Sequence, residues 1–208
     1  MNAPPLVETP RLVLSAPVAG DAELVFQRYA SDDDVTRYLG WPKHRTVADT
    51  QGFLEFSAVQ WEREGAGPYL IWARADGQLL GSTGLGLEPG GQAITGYVLA
   101  TDAWGKGYAT EALTAVVEVA TDIGVSGIYA LCHPQHRASW RVLEKCGFER
   151  DGTWNRQVEF PNLAPGITQD VLSYRRGLNR HERHGSGKPG TPPAFEDVPW
   201  NGSRIPRE

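Results

Sequence analysis

The fold of this chain is decided by residues 96–148, which read GYVLATDAWGKGYATEALTAVVEVATDIGVSGIYALCHPQHRASWRVLEKCGF. A short apolar strand comes first, and a glycine-rich turn and an amphipathic helix follow it. A second apolar strand and a second helix complete the stretch, and this helix ends in Lys-Cys-Gly-Phe. Strand, helix and strand in this order predict a β-α-β unit.

The turn between the first strand and the helix reads WGKGYA at residues 104–109. Gly105 and Gly107 allow the backbone to curl so that successive N–H groups point inward. The helix that follows begins with unpaired N–H groups and the positive end of its dipole, and Lys106 adds a positive charge. The turn therefore predicts a seat for a phosphate or pyrophosphate group.

The rest of the chain surrounds this unit with strands and helices. Three strands are predicted before it, at residues 11–14, 69–74 and 79–87, with a hairpin turn at Asp76-Gly77, and the fourth is residues 93–99. The fifth is residues 128–132, and residues 148–160 and 169–174 close the fold as an antiparallel pair. We expect an α/β fold around one central mixed sheet of about seven strands with flanking helices.

Helices are predicted between the first two strands, and residues 1–9 are expected to be loose. Asp21 is expected to cap a helix that ends at Tyr29, and a further turn covers residues 35–39. Thr46 and Asp49 form a capping-box pattern before a helix that runs to about Glu64. Its apolar face is expected to carry Leu54, Ala58 and Trp61. In the central stretch, helices are predicted at residues 108–123 and 138–146.

Composition excludes several classes of function. The 208 residues carry a net charge of −5, which argues against nonspecific nucleic-acid binding and weakly suits a cationic substrate such as an amine. No apolar run is long enough for a membrane span, and the N-terminus lacks the pattern of a signal peptide.

Cys132 and Cys146 have no metal-binding or redox spacing, so we expect buried reduced thiols and a cytoplasmic protein without a metal. Residues 179–208, rich in glycine, proline and charge, are expected to form a flexible tail.

The chain resembles the GNAT N-acetyltransferases, and in particular the branch of Rim-type ribosomal-protein N-terminal acetyltransferases. The motifs that carry this resemblance are WGKGYATEA at 104–112, ASWRVLEKCGF at 138–148, FPNL at 160–163 and DVLSY at 170–174. The resemblance covers residues 9–176, which are expected to be one acetyltransferase domain. In the family's loop pattern the first residue is Gln or Arg, and here Trp104 takes that place.

The resemblance implies acetyl-CoA as the donor substrate. Its pyrophosphate would lie on the turn formed by Trp104, Gly105, Lys106, Gly107, Tyr108, Ala109 and Thr110. Its pantetheine arm would pair with the strand edge at Tyr97, Val98 and Leu99, as a peptide pairs with a sheet. The thioester would then lie where the fourth and fifth predicted strands splay apart. The N–H of Val98 or Leu99 would stabilise the oxyanion.

The resemblance also suggests catalytic residues. Many family members have a Tyr acid one turn before the Gly-Phe pair, but Leu143 stands there in this chain. The Rim-type pattern instead implies Ser139 as proton donor to the leaving thiolate and Glu159 as base. Each residue also has a non-catalytic alternative. Ser139 could be a first-turn serine that satisfies a backbone group, and Glu159 could be a solvated carboxylate on a strand. His136 replaces the usual Asn beside the pantetheine, where an imidazole can still donate one hydrogen bond. A base near neutral pH and a loop histidine without a special role are its alternatives.

The acceptor pocket is expected between residues 40–46 and 159–168, with Trp41 stacking on the substrate or packing as a plug. The resemblance implies a primary amine as the acceptor, either a protein N-terminus or a small molecule, and assembly as a homodimer is left open. A binding protein or sensor for acyl-CoA without turnover is the alternative from another class. A dinucleotide-binding domain is disfavoured because the full GxGxxG pattern is absent.

Overall fold

The computed structural model describes residues 1–178, with the backbone alone described at residues 154–157. These residues form one eight-stranded sheet in the order β1-β2-β3-β4-β5-β6-β8-β7. All neighbouring strands are antiparallel except β5 and β6. The strands are β1 (Leu6–Glu8), β2 (Leu12–Ser15), β3 (Pro68–Ala73), β4 (Leu79–Glu88), β5 (Gln92–Leu99), β6 (Gly127–Cys132), β7 (Glu149–Glu159) and β8 (Thr168–Gly177). The predicted α/β fold with a mixed sheet is confirmed, and the predicted tail at 179–208 lies outside the described residues.

Helices cover both faces of the sheet. They are α1 (Ala22–Val25), α2 (Asp33–Thr36), α3 (Val47–Glu64), α4 (Tyr108–Asp122) and α5 (Arg137–Lys145). The α4 helix packs on β2, β4 and β5, whereas α1 contacts β4 and α3. Tyr69 and Ile71 of β3 join the larger core cluster and Leu70 joins a smaller one. Because side chains alternate along a strand, the two clusters lie on opposite faces. None of the helices within residues 1–178 is long and apolar enough to cross a membrane.

The prediction that residues 1–9 are loose is wrong. β1 pairs with β2 from Leu6 opposite Ser15 to Glu8 opposite Val13, which adds an eighth strand at the edge of the sheet. Ala3 is only 5% exposed, and its N–H donates to the carbonyl of Gly65 at 2.7 Å. The strand is too short for its sequence to give an alternating pattern, so only its pairing with β2 defines it.

Two helix predictions need correction in detail. Asp21 does not cap α1, because its carboxylate accepts the N–H of Val18 at 2.8 Å and so supports the turn before the helix. After α1 the chain continues as a π-helix over Phe26–Ala30. The capping box of α3 is confirmed, since the carboxylate of Asp49 accepts the N–H of Thr46 at 2.9 Å.

The buried face of α3 also differs from the prediction. Ala58 is exposed, whereas Ser57 and Gln60 are buried together with Leu54. The hydroxyl of Ser57 donates to the carbonyl of Phe53 at 2.8 Å, so this polar group is satisfied inside the helix. A buried hydroxyl that is bonded within its own helix costs little, so apolar periodicity alone did not reveal this face of the helix.

The parallel strands β5 and β6 separate along their length. They pair only at Gln92 opposite Gly127, Ala93 opposite Ile128 and Ile94 opposite Tyr129. β5 continues to Leu99 and β6 to Cys132, without a further pairing between them. This is the predicted splay. The strands predicted as the fourth and fifth are β5 and β6 here, because the unpredicted β1 shifts the numbering by one. We call the space between the diverging halves the splay cleft.

Candidate active site

The glycine turn at the end of the splay cleft has the geometry of an anion seat. Gly105 has φ 72° and Gly107 has φ 81°, both in the left-handed region that favours glycine. Gly107 is the N-cap of α4, and no side chain caps this helix end. The first-turn N–H groups of Tyr108, Ala109 and Thr110 therefore have no partner within the helix. Together with Lys106, they can hold a phosphate group.

Arg11, which the sequence reading did not single out, fastens this turn to the sheet. Its guanidinium donates to the carbonyl of Lys106 at 2.9 Å and forms an ion pair with Glu111 at 2.6 Å. It also lies 4.8 Å from the centre of the Tyr108 ring. No local pattern connects Arg11 with a turn more than 90 residues later, and only the packing of α4 on β2 brings them together.

Glu111 completes this tether from within α4. Its carboxylate accepts the hydroxyl of Thr9 at 2.7 Å and the backbone N–H of Arg11 at 2.8 Å. Burial raises the pKa of the Glu111 carboxyl, but the hydrogen bonds from Thr9 and Arg11 outweigh it and hold the pKa below its ordinary value. The carboxylate is therefore ionised at neutral pH and can hold Arg11 there.

Trp104 connects the turn with the end of β5. Its indole N–H donates to the carbonyl of Leu99 at 2.8 Å, while half of the residue is exposed. The family's usual amide or basic residue is thus replaced by a side chain that fixes the strand end. The exposed part of the ring borders the turn and remains available for contact with a ligand.

Hydrogen-bond alternation decides which N–H groups of β5 face the splay cleft. Ala100 donates its N–H to the carbonyl of Leu80 at 2.8 Å, and Val98 lies opposite Ser82 in the same register. Bonded and non-bonded pairs alternate in an antiparallel ladder, so the N–H of Val98 is directed to β4. The N–H groups of Tyr97 and Leu99 are directed to the cleft instead. Of the two residues expected to stabilise an oxyanion, this geometry leaves Leu99.

Ser139 and Tyr97 meet at the cleft. Ser139 lies half-buried in the first turn of α5, and the Tyr97 hydroxyl is 2.7 Å from its carbonyl oxygen and 3.1 Å from its Oγ. Burial raises the pKa of the Tyr97 phenol, so it stays protonated at neutral pH. Leu143, at the usual position of the family acid, is 1% exposed within the core and offers no proton.

His136 belongs to an aromatic stack at the start of α5. The rings of His136 and His133 each lie 4.9 Å from the ring of Tyr38. Burial, with a further contribution from His133, lowers the pKa of His136 to about 4. The imidazole is therefore neutral at pH 7 and can donate one hydrogen bond, but it is a weak base.

Glu159 is bonded within its own loop. Its carboxylate accepts the N–H of Gly166 at 2.8 Å, and it lies opposite Thr168 at the start of β8. Among the contacts of the described residues, the structure joins Tyr97 to Ser139 but does not join Glu159 to either of them. One oxygen of Glu159 is used by the turn, and the other is free of hydrogen bonds among the described groups.

The two loops expected to form the acceptor pocket are held together by Asn162. Its side-chain amide donates to the carbonyls of Thr36 and Trp41 at 2.8 Å each, and it accepts the N–H of Lys43 at 2.7 Å. The Trp41 ring lies 5.0 Å from the ring of His44 and is half-buried. An open groove of about 710 Å³ lies beside the second of these loops, lined by His133, Pro134, Gln135, Gly166, Ile167, Thr168, Gln169 and Asp170.

Comparison with known proteins identifies the domain. Residues 11–149 match the sequence model of the acetyltransferase (GNAT) domain. A protein of Bacillus subtilis named as an uncharacterised N-acetyltransferase, YoaA, is 31% identical over 165 residues, which are 77% of this chain and 92% of that protein. These matches favour a transferase over a binding protein without turnover.

Solved structures agree with this fold. A GNAT acetyltransferase from Bacillus anthracis superposes with a TM-score of 0.71 at 25% identity and covers 83% of this chain and 98% of its own. RimL, a ribosomal L7/L12 alpha-N-protein acetyltransferase solved with coenzyme A, superposes with a TM-score of 0.74 at 21% identity, with the same coverage. At that identity the second likeness shows the fold alone.

Proposed function

Because the chain belongs to the GNAT family of acetyltransferases, we propose that its splay cleft binds acetyl-CoA and passes the acetyl group directly to a primary amine. The observation that carries this proposal is the cleft itself, with β5 and β6 paired at only three positions and the glycine turn at its end. A separated strand edge suits the amides of pantetheine, and the turn suits a pyrophosphate.

Two parts of the site would hold the donor substrate. The pyrophosphate would lie on Trp104, Gly105, Lys106, Gly107, Tyr108, Ala109 and Thr110, with the turn held by Arg11. The pantetheine would pair with the backbone edge of Tyr97 and Leu99, whose N–H groups face the cleft, beside Val98, and His136 would donate a hydrogen bond to it. The open edge of β5 and the neutral imidazole of His136 support this placement.

The proposed chemistry assigns a step to each of these groups. Glu159, directly or through water, takes one proton from the ammonium and passes it to solvent, and the amine nitrogen then bonds to the thioester carbon. The N–H of Leu99 stabilises the oxyanion, and the carbon–sulfur bond breaks as the intermediate collapses. Ser139 gives its hydroxyl proton to the leaving sulfur, and the second proton lost by nitrogen restores the serine. The product is an N-acetyl amine and free CoA thiol.

The acceptor would enter between residues 40–46 and 159–168 and contact Trp41. The open groove beside the 159–168 loop favours an extended acceptor such as a protein N-terminus, the acceptor that the name of RimL gives for that protein. A small-molecule amine remains the second candidate. Two buried free thiols support a cytoplasmic location.

An acceptor screen tests this proposal. Wild-type protein is incubated with acetyl-CoA and a panel of peptides with free N-termini and of small amines, and CoA thiol release is followed. We expect release with at least one amine and none when the same peptide carries a blocked N-terminus. Binding of CoA without thiol release on any amine would contradict the proposal and favour a sensor.

A further inference from the structure

We propose that Tyr97 is a positioning residue that holds the first turn of α5 through the Ser139 carbonyl and directs the Ser139 hydroxyl hydrogen until the leaving thiolate takes it. This inference rests on the proposed role of Ser139 as proton donor. It starts from the two contacts of one phenol, at 2.7 Å to the Ser139 carbonyl oxygen and 3.1 Å to the Ser139 Oγ.

The direction of both hydrogen bonds follows from the number of protons. A carbonyl oxygen only accepts, so the single O–H of Tyr97 donates to the carbonyl of Ser139. The phenol oxygen has no second hydrogen, and the contact with Oγ therefore has Ser139 as its donor. In the protein without substrate, the hydroxyl hydrogen of Ser139 thus points to Tyr97, and its oxygen lone pairs remain for the cleft.

Tyr97 is placed to connect the donor substrate with this serine. Its backbone N–H is directed to the splay cleft, as the register with β4 requires, while its ring packs against the main core cluster. One residue of β5 thus provides both an edge for pantetheine and a fixed partner for the first turn of α5. Movement of the Ser139 Oγ relative to the thioester is restricted accordingly.

The leaving thiolate would then take over the Ser139 hydrogen. A hydrogen bond to an ionised acceptor is stronger than one to a neutral phenol, so the hydroxyl rotates to the sulfur as negative charge develops there. Tyr97 keeps its bond to the Ser139 carbonyl throughout, so α5 does not move. The second proton lost by the amine nitrogen then restores the Ser139 hydroxyl, which again donates to the phenol, and Tyr97 itself gains and loses no proton.

A double-mutant cycle tests the inference. Turnover and the KM for acetyl-CoA are measured for wild type, Tyr97→Phe, Ser139→Ala and the double variant. We expect Tyr97→Phe to lower kcat roughly fivefold to tenfold with KM changed less than twofold, and to change kcat less than twofold when Ser139→Ala is already present. If the kcat of the double variant falls by the product of the two single losses, the two residues act independently and the inference is overturned.

A matched control separates positioning from general stability. Tyr69 is a buried tyrosine whose hydroxyl also donates to a backbone carbonyl, that of Pro4, at 2.7 Å. Tyr69→Phe should leave kcat unchanged, and an equal loss of kcat there would contradict a specific role for Tyr97. Unchanged kcat in Ser139→Ala alone would overturn the proton-donor role, whereas a loss there with multiplied losses in the double variant would overturn only the role of Tyr97.

Discussion

Gly107 is the single residue on which the proposed pyrophosphate seat depends most. It combines a φ of 81° with the N-cap position of α4, and a Cβ there would lie 3.4 Å from the guanidinium of Arg11. A side chain at this position is strained and would disturb the tether as well as fill the seat. A negative side chain would also repel the phosphates.

Gly107→Glu is therefore expected to weaken CoA binding by roughly 100-fold or more, measured by calorimetry. Gly90→Glu is the matched control, because Gly90 has φ 78° with nothing near a Cβ and lies at the opposite end of β5. The control carries the same backbone strain and charge without touching the turn. Unchanged affinity in Gly107→Glu would rule out the seat.

Glu159 is the second residue whose proposed role can be isolated. Glu159→Gln keeps an oxygen that can accept the N–H of Gly166 but removes the basic carboxylate. We expect kcat to fall roughly 100-fold with the melting temperature nearly unchanged. Glu159→Ala should lose both kcat and the support of the loop. Normal turnover in Glu159→Gln would show that Glu159 supports the loop and is not the base.

At the scale of elements, the tether from β2 to α4 makes a prediction about the donor substrate. Arg11→Ala removes the bonds to Lys106 and Glu111, so the turn is no longer held in place. We expect the KM for acetyl-CoA to rise about tenfold. The KM for acetyl-pantetheine, which lacks the pyrophosphate, should not change. An equal rise for both donors would mean that Arg11 only stabilises the fold.

The elements also explain what sequence could and could not predict. The glycine turn, α4 and the capping box at Thr46 depend on neighbouring residues, and they were predicted close to their observed positions. β1 was missed because three residues are too few to show an alternating pattern, although β2 follows closely in the sequence. The π-helix at Phe26–Ala30 and the buried polar residues of α3 were missed because neither follows the apolar periodicity of an α-helix. Arg11 and the contact between Tyr97 and Ser139 were missed because their partners are distant in sequence.

For the molecule as a whole, His136 couples stability to pH. The unfolded imidazole titrates near pH 6.5 and the folded one near pH 4, so the unfolded state binds more protons between these values. Stability from this residue is present above pH 6.5 and is lost as the pH falls towards 4. The pKa of His44 is also lowered, chiefly by burial, and adds to the loss in the same direction.

His136→Asn, which restores the usual residue of the family, should reduce this loss by on the order of 2 kcal/mol. Chemical unfolding at pH 7 and at pH 4.5 for wild type and variant measures the difference. His136→Asn should still bind CoA, because the amide can donate the same hydrogen bond. An identical pH dependence in both proteins would show that His136 is not held neutral by the fold.

The central proposal is that the splay cleft brings acetyl-CoA and an amine together for direct transfer. The most direct measurement follows CoA thiol and acetylated amine in the same reaction, with the best acceptor from the screen and intact-mass analysis of the protein. We predict one acetylated amine for each thiol released, no acetyl group on the protein, and loss of both products in Gly107→Glu. Thiol release without acetylated amine, or an acetylated protein that passes its acetyl group to the amine, would contradict direct transfer in this cleft.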